Sequence, residues 1–231
     1  MDILELAEKL IKMGLEDRLR LITEEYKGKK IVFSTSFGQE DQAIFHAIAQ
    51  ENLPIEIFTL DTGRLFQETY ELMDLTKKKY NFPFKVYFPD KTSVERMVEE
   101  KGFNSFYESV DNRKQCCFIR KIEPLNRALE GADVWITGLR KDQSENRNTI
   151  SILEKDESRN LIKFNPLIDW TLEDLEKYLK ENKIPQNSLH RKGFISIGCA
   201  PCTRAIQEGE DIRAGRWWWE QSQKECGLHS K

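Results

Sequence analysis

The chain has 231 residues, 39% of them hydrophobic, a net charge of -3 and a sequence pI near 5.8. That is enough apolar material for one sizeable core, or a domain with a smaller appendage, and the mild acidity recommends neither nucleic acid nor a membrane surface as a partner. No uncharged apolar run approaches the length of a membrane span, and Asp2 and Glu5 stand where a signal peptide would carry basic residues. The expectation is a cytoplasmic protein, and in that compartment paired cysteines are more often metal ligands or catalysts than structural disulfides.

Taken in order, Ile3, Leu6, Ala7, Leu10 and Ile11, then Leu15, Leu19, Ile22 and Tyr26, recur at helical spacing and predict two amphipathic scaffold helices. Residues 29–33 read as a buried strand running into Ser34-Thr35-Ser36-Phe37-Gly38-Gln39-Glu40-Asp41, followed by a helical pattern at Ala43, Ile44, Ala47 and Ile48. A strand, a small polar loop and a helix point backbone N–H groups at an anion, although Asp41 also reads as an ordinary first-turn acid. Residues 55–60 are a second strand, ending in Asp61-Thr62-Gly63-Arg64, and residues 84–88 a third. Helices follow through Phe66, Tyr70 and Met73, and through Val94, Met97 and Val98. Pro124 is placed to open a helical turn. Residues 133–137 form a fourth strand ending in Gly138-Leu139-Arg140, and residues 150–153 and 161–164 flank a polar turn as a hairpin or two edge segments. Thr171-Leu172-Glu173-Asp174 opens a helix with a capping-box pattern. Alternating strands and helices predict an α/β fold with a doubly wound, mostly parallel sheet. The polar motifs at 34–38, 61–64 and 138–147 fall at the strand ends, where such sheets hold ligands. No linker demands a second domain, so residues 1–231 are expected to form one: N-terminal helices at 1–28, a core at 29–206 and a C-terminal segment at 207–231.

Four of the five cysteines fall in two pairs, Cys116-Cys117 and Cys199-Ala200-Pro201-Cys202. Two distant pairs suggest one four-thiolate site. Adjacent cysteines suit two corners of a multi-iron cluster better than one tetrahedral ion, because their side chains diverge, though zinc or a disulfide network stays open. Arg113, Lys114, Arg120, Lys121, His190, Arg191, Lys192 and Arg204 surround the pairs in sequence. They read either as cations that ease the gathering of thiolates or as a solvated basic surface. Trp217, Trp218 and Trp219 read as core packing or as an anchor for the tail.

Lys114-Gln115-Cys116-Cys117 with Lys121 and Pro124-Leu125, Gly198-Cys199-Ala200-Pro201-Cys202-Thr203-Arg204, Gly215-Arg216-Trp217-Trp218-Trp219 and Glu225-Cys226-Gly227-Leu228-His229 together resemble the assimilatory adenylyl-sulfate reductases, the cluster-containing branch of the APS/PAPS reductase family. The resemblance runs from the first strand to the last residues. It implies a fold similar to the adenine nucleotide α-hydrolases and a [4Fe-4S] cluster on Cys116, Cys117, Cys199 and Cys202. It also implies thioredoxin-dependent reduction of adenosine 5′-phosphosulfate (APS) to sulfite and AMP, within sulfate assimilation and cysteine biosynthesis. Cys226 is implied as the nucleophile, forming an S-sulfonate that thioredoxin discharges, with His229 near the thiol or the sulfate. Ser34, Ser36, Gly38 and Asp41 are implied for the first nucleotide loop, and Leu60, Thr62 and Gly138 for the adenosine. Arg147, Arg213 and Arg216 are implied for the phosphosulfate, with Lys121 between cluster and substrate. Because the thiol chemistry already accounts for both electrons, the cluster is expected to organise the site and tune its electrostatics through Lys121 rather than pass electrons to substrate. The alternatives are a reductase of the 3′-phosphorylated substrate (PAPS) or of both, and a non-catalytic Fe–S nucleotide sensor. A homo-oligomer is left open as a partner, and a sulfur-transfer enzyme acting on RNA is disfavoured by the acidic balance.

Overall fold

The computed structural model describes residues 2–143 and 150–220. Arg147, Cys226 and His229 lie outside the described residues. Six strands form one sheet in the order β3-β2-β1-β4-β6-β5. They are β1 (Ile31–Thr35), β2 (Glu56–Leu60), β3 (Lys85–Tyr87), β4 (Val134–Ile136), β5 (Leu153–Asp156) and β6 (Leu161–Phe164). β1 runs parallel to β4 with Ile31 opposite Val134, and β4 parallel to β6. Parallel neighbours require crossover connections. β5 and β6 are an antiparallel hairpin, which settles the alternatives at 150–164. β1 continues two residues past the expected 29–33, so Ser34 and Thr35 belong to the strand; Ser34 is fixed there by accepting a hydrogen bond from the Trp135 indole at 2.8 Å.

By internal packing the chain divides into two compact units. The first comprises Met1–Phe58, Glu71–Lys85 and Gly131–Asn187. Its core is built from α1 (Ile3–Leu10), α2 (Leu15–Glu25), α3 (Gln39–Gln50) and α8 (Leu172–Glu181) packed with the apolar faces of β1, β4 and β6. The N-terminal helices are scaffold, as their spacing predicts, and Arg18 ties them down. Its buried guanidinium donates to the carbonyls of Leu10, Ile11 and Pro166 and to both oxygens of Asp169. The expected capping box at α8 is present between Thr171 and Asp174.

The second unit comprises Thr59–Tyr70, Val86–Glu130 and Ser188–Lys231. α4 (Gln67–Tyr80) leads out of it, and α5 (Lys91–Lys101), α6 (Val110–Cys117) and α7 (Glu123–Leu129) lie within it. α6 has no apolar stripe, so hydrophobic periodicity could not find it. It starts because the Ser109 hydroxyl accepts the Asn112 N–H. A π-helical turn, Phe118–Ile122, follows immediately and joins it to α7. Pro124 sits in the first turn of α7, as expected. Among the described residues no helix is long and apolar enough to cross a membrane.

Candidate active site

In the first unit the loop after β1 closes on itself. Phe37 takes a left-handed conformation (φ 59°), unfavourable for a bulky side chain, and its burial against Phe45 and Phe84 offsets that cost. Its N–H donates to the Thr35 hydroxyl. Asp41, in the first turn of α3, turns its carboxylate back into the loop, and Oδ2 accepts from the Ser36 N–H at 2.6 Å and the Ser36 hydroxyl at 2.7 Å. Gly138 makes this possible, since a Cβ there would lie 2.3 Å from Asp41 Oδ1. Beside it Glu40 Oε1 accepts from Arg140 Nε at 2.9 Å, a pair almost entirely shielded from water. The structure therefore brings together Ser36, Gly38, Asp41 and Gly138, and the first-turn acid is an internal cap. A loop that fills its own anion site with a carboxylate is poorly suited to cradle a bare triphosphate.

Asp41 is 8% exposed. Burial raises its pKa to about 6, against the opposing effect of the Ser36 hydrogen bonds. Between about pH 4 and about pH 6 the folded chain thus keeps a proton that the unfolded chain has lost, so Asp41 makes stability fall as pH rises through that window. The shift of about two pH units corresponds to roughly 3 kcal/mol at neutral pH. An Asp41→Asn chain keeps an acceptor for Ser36, and its stability relative to the parent is expected to grow across that window. Urea unfolding midpoints of the two chains against pH check this; a constant difference would refute it.

In the second unit all four paired cysteines line one cavity that opens to solvent. Arg64, Arg113, Arg120 and Lys121 line it with them, and Phe106, Pro201 and Trp217 supply its apolar wall. Cys116 and Cys117 come from the last turn of α6, just before the π-helical turn, an irregularity frequent at functional sites. Cys199 and Cys202 bracket the 3-10 turn Ala200–Cys202, which is held by the Ala200 N–H on the Arg64 carbonyl and the Tyr107 hydroxyl on the Pro201 carbonyl. None of the four is in a disulfide.

Their environments differ. Burial pushes Cys199 up, but Lys121, a 3.2 Å contact with the Thr62 hydroxyl, Arg216 and Arg120 outweigh it and hold the thiol below its ordinary pKa. Cys202 is pushed up to about 12 by burial and by the charges of Cys199 and Cys117, and Cys116 is raised by burial. Four thiols at close quarters with one favoured thiolate form a donor set that a polynuclear cation would satisfy. Among the described residues no three His, Cys, Asp or Glu side chains gather as a single metal ion requires; the cysteines surround a space instead. The four thiol donors fit an iron–sulfur cluster.

Arg216 is 6% exposed. Its guanidinium stacks 4.8 Å from the Trp217 ring and fills the space beside Gly198, where a Cβ would fall 2.3 Å from Nη2. A bridge with Thr203 fixes its backbone. Arg213 is half-buried. Leu60 and Thr62 belong to this unit, whereas Ser34, Ser36, Gly38, Asp41 and Gly138 belong to the first, and the Thr62 hydroxyl lies on the Cys199 sulfur. The solvated-surface reading fails for Arg113 and Arg120, both buried, and holds for Lys114, Arg191 and Lys192, all exposed. Arg120 donates to the Thr62 carbonyl at 2.7 Å. Of the three consecutive tryptophans only Trp217 is fully buried; Trp218 is 41% exposed. Sequence reasoning placed Arg64 only in a strand-end motif and Arg113 only among the cations near the cysteine pairs, since nothing in a basic run marks which side chains turn inward.

Residues 30–205 match the phosphoadenosine phosphosulfate reductase domain, and the chain belongs to that family. Its relatives include the adenosine 5′-phosphosulfate reductase of Sinorhizobium fredii, 51% identical over 225 residues, spanning 97% of this chain and 89% of that protein. The enzyme of the same name from Burkholderia cepacia is 48% identical over 226 residues, spanning 97% of this chain and 89% of that protein. Among solved structures, phosphoadenylyl-sulfate reductase from Candida auris superposes with a TM-score of 0.75 at 27% identity, covering 87% of this chain and 95% of that one. Yeast FAD synthetase, at TM-score 0.55 and 15% identity, covering 89% of this chain and 69% of that one, shares the fold.

Proposed function

We propose that the chain reduces adenosine 5′-phosphosulfate to sulfite and AMP in sulfate assimilation and cysteine biosynthesis, in the cytoplasm, with thioredoxin as electron donor. The observation that carries this is its roughly half identity, over nearly the full length of both chains, to enzymes named for that reaction. The four-cysteine cavity supports a [4Fe-4S] cluster held by Cys116, Cys117, Cys199 and Cys202. When bound, the cluster supplies compact positive charge that keeps the four sulfurs as thiolates.

The chain's own residues carry the chemistry. The Cys226 thiolate attacks the sulfate sulfur; an S–S bond forms, the S–O bond breaks, and AMP leaves with the electron pair. A thioredoxin thiolate then attacks the Cys226 sulfur, sulfite departs with the S–S pair, and the second thioredoxin thiol resolves the mixed disulfide. The donor loses two electrons and the sulfur gains two. Arg216, Arg213 and Arg147 are assigned to the phosphosulfate charge, Lys121 to the ground between cluster and substrate, and His229 to the thiol or the sulfate. Ser34, Ser36, Gly38, Asp41, Leu60, Thr62 and Gly138 are assigned to the nucleotide.

The similarity to the Candida auris structure favours a second reading, in which the 3′-phosphorylated nucleotide is also reduced. Steady-state rates of sulfite release on both nucleotides, with anaerobically purified protein and reduced thioredoxin, separate the two. A higher kcat/KM on APS is expected; no sulfite from APS would overturn the proposal.

A further inference from the structure

The C-terminal segment is clamped at its base. The Arg204 N–H donates to the Gly215 carbonyl and the Trp217 N–H to the Cys202 carbonyl. Trp217 sits at φ 41°, and its ring lies between the guanidinium groups of Arg113 and Arg216, at 4.7 and 4.8 Å. The Glu220 N–H closes the turn onto the Trp217 carbonyl. The Glu220 carboxylate meets Arg113 in a fork, Oε1 to Nε at 2.8 Å and Oε2 to Nη2 at 2.9 Å. Both side chains are within 5% of complete burial. A buried ion pair is weak as a stabiliser compared with apolar residues of the same size, so a bidentate one suggests a positional role. Arg113 is carried by α6, one turn before Cys116 and Cys117.

We propose that Arg113 and Glu220 form a positioning pair that pins the base of the C-terminal tail to the helix carrying Cys116 and Cys117, and so sets where Cys226 starts its reach for the substrate. Cys226 lies six positions beyond Glu220, so the leash spans at most about 20 Å fully extended. Releasing Glu220 would move the effective start of that leash back toward Trp217 and dilute the thiol at the substrate. The inference rests on Cys226 being the nucleophile.

The test is the double variant Arg113→Met with Glu220→Leu, which removes both charges of the pair together, beside Glu220→Gln, which weakens the pair and leaves the Arg113 hydrogen bond to Cys117 in place. Expected are unchanged iron per chain, faster trypsin cleavage after Arg216, and Cys226 S-sulfonate formation in a single turnover slowed by about 10-fold or more. Thioredoxin-driven sulfite release from preformed adduct should change by less than about twofold, because that step does not need the thiol at the substrate. An adduct rate within about twofold of the parent at full iron content would overturn the assignment. Loss of iron would overturn it too, by making the pair a support of the cysteine cavity rather than of the tail. If the parent chain forms no adduct, the nucleophile reading has failed instead, and cleavage after Arg216 still decides whether the pair anchors the segment.

Discussion

A Cys226→Ala chain incubated anaerobically with APS and no reductant will gain no sulfonate, and its turnover will fall by on the order of 10⁴-fold or more. The expectation follows from how the other thiols are placed. Four of the five cysteines line one cavity. In the proposed enzyme these four sulfurs are committed to the cluster, so none is available to attack the substrate. Cys199 is held low, but it is 8% exposed and its sulfur contacts the Thr62 hydroxyl. A thiolate that must meet a phosphosulfate and then a thioredoxin needs access to both, and Cys226 is the one cysteine of the sequence that belongs to neither pair. Intact mass before and after substrate is the measurement. The parent should carry one sulfonate, released as sulfite by reduced thioredoxin, and an adduct persisting in Cys226→Ala would place the nucleophile elsewhere.

The sheet was legible because its strands announce themselves. Ile31-Val32-Phe33 and Val134-Trp135-Ile136 are short apolar runs of β-forming residues between polar turns, and they pair in parallel register. The capping box at Thr171 is a local signal with local geometry. α6 was not legible: Val-Asp-Asn-Arg-Lys-Gln-Cys-Cys has no periodic apolar face, and its inward-facing residues are an arginine and two cysteines whose partners are far away. Arg113 finds Glu220 across 107 residues, and Thr62 finds Cys199 across 137. No window of sequence contains such pairs. The loop after β1 was legible as a loop, whereas the inward turn of Asp41 depends on Gly138, just past the end of β4, having no side chain. Gly138 stood out by its place at a strand end, whereas only the resemblance singled out Arg216 among many arginines. The four cysteines stood out by type and pairing, yet their unequal acidities arise from Lys121, Arg120 and Arg216 placed around them by the fold.

Gly198→Ala is expected to lower kcat/KM for APS by about 10²-fold while leaving the chain folded. Gly198 does not have the positive φ that would demand glycine for its backbone, so the backbone itself does not exclude alanine. The conflict is entirely with Arg216. A Cβ would lie 2.3 Å from Nη2, 2.6 Å from Cζ and 2.9 Å from Nη1, and the guanidinium cannot simply yield, since Trp217 stacks on it and the bridge to Thr203 fixes its backbone. Displacing it removes a cation assigned to the anionic substrate and one of those that hold Cys199 low. A double-mutant cycle isolates the effect. If Gly198 serves to admit the Arg216 guanidinium, then Gly198→Ala combined with Arg216→Ala should be no worse than Arg216→Ala alone. Iron per chain must be measured in parallel, because Gly198 precedes Cys199. Independent, additive losses, or a loss that tracks iron alone, would mean that the small residue serves the cysteine turn and not the arginine. Strong non-additivity with full iron content would tie Gly198 to the Arg216 charge that is assigned to the substrate.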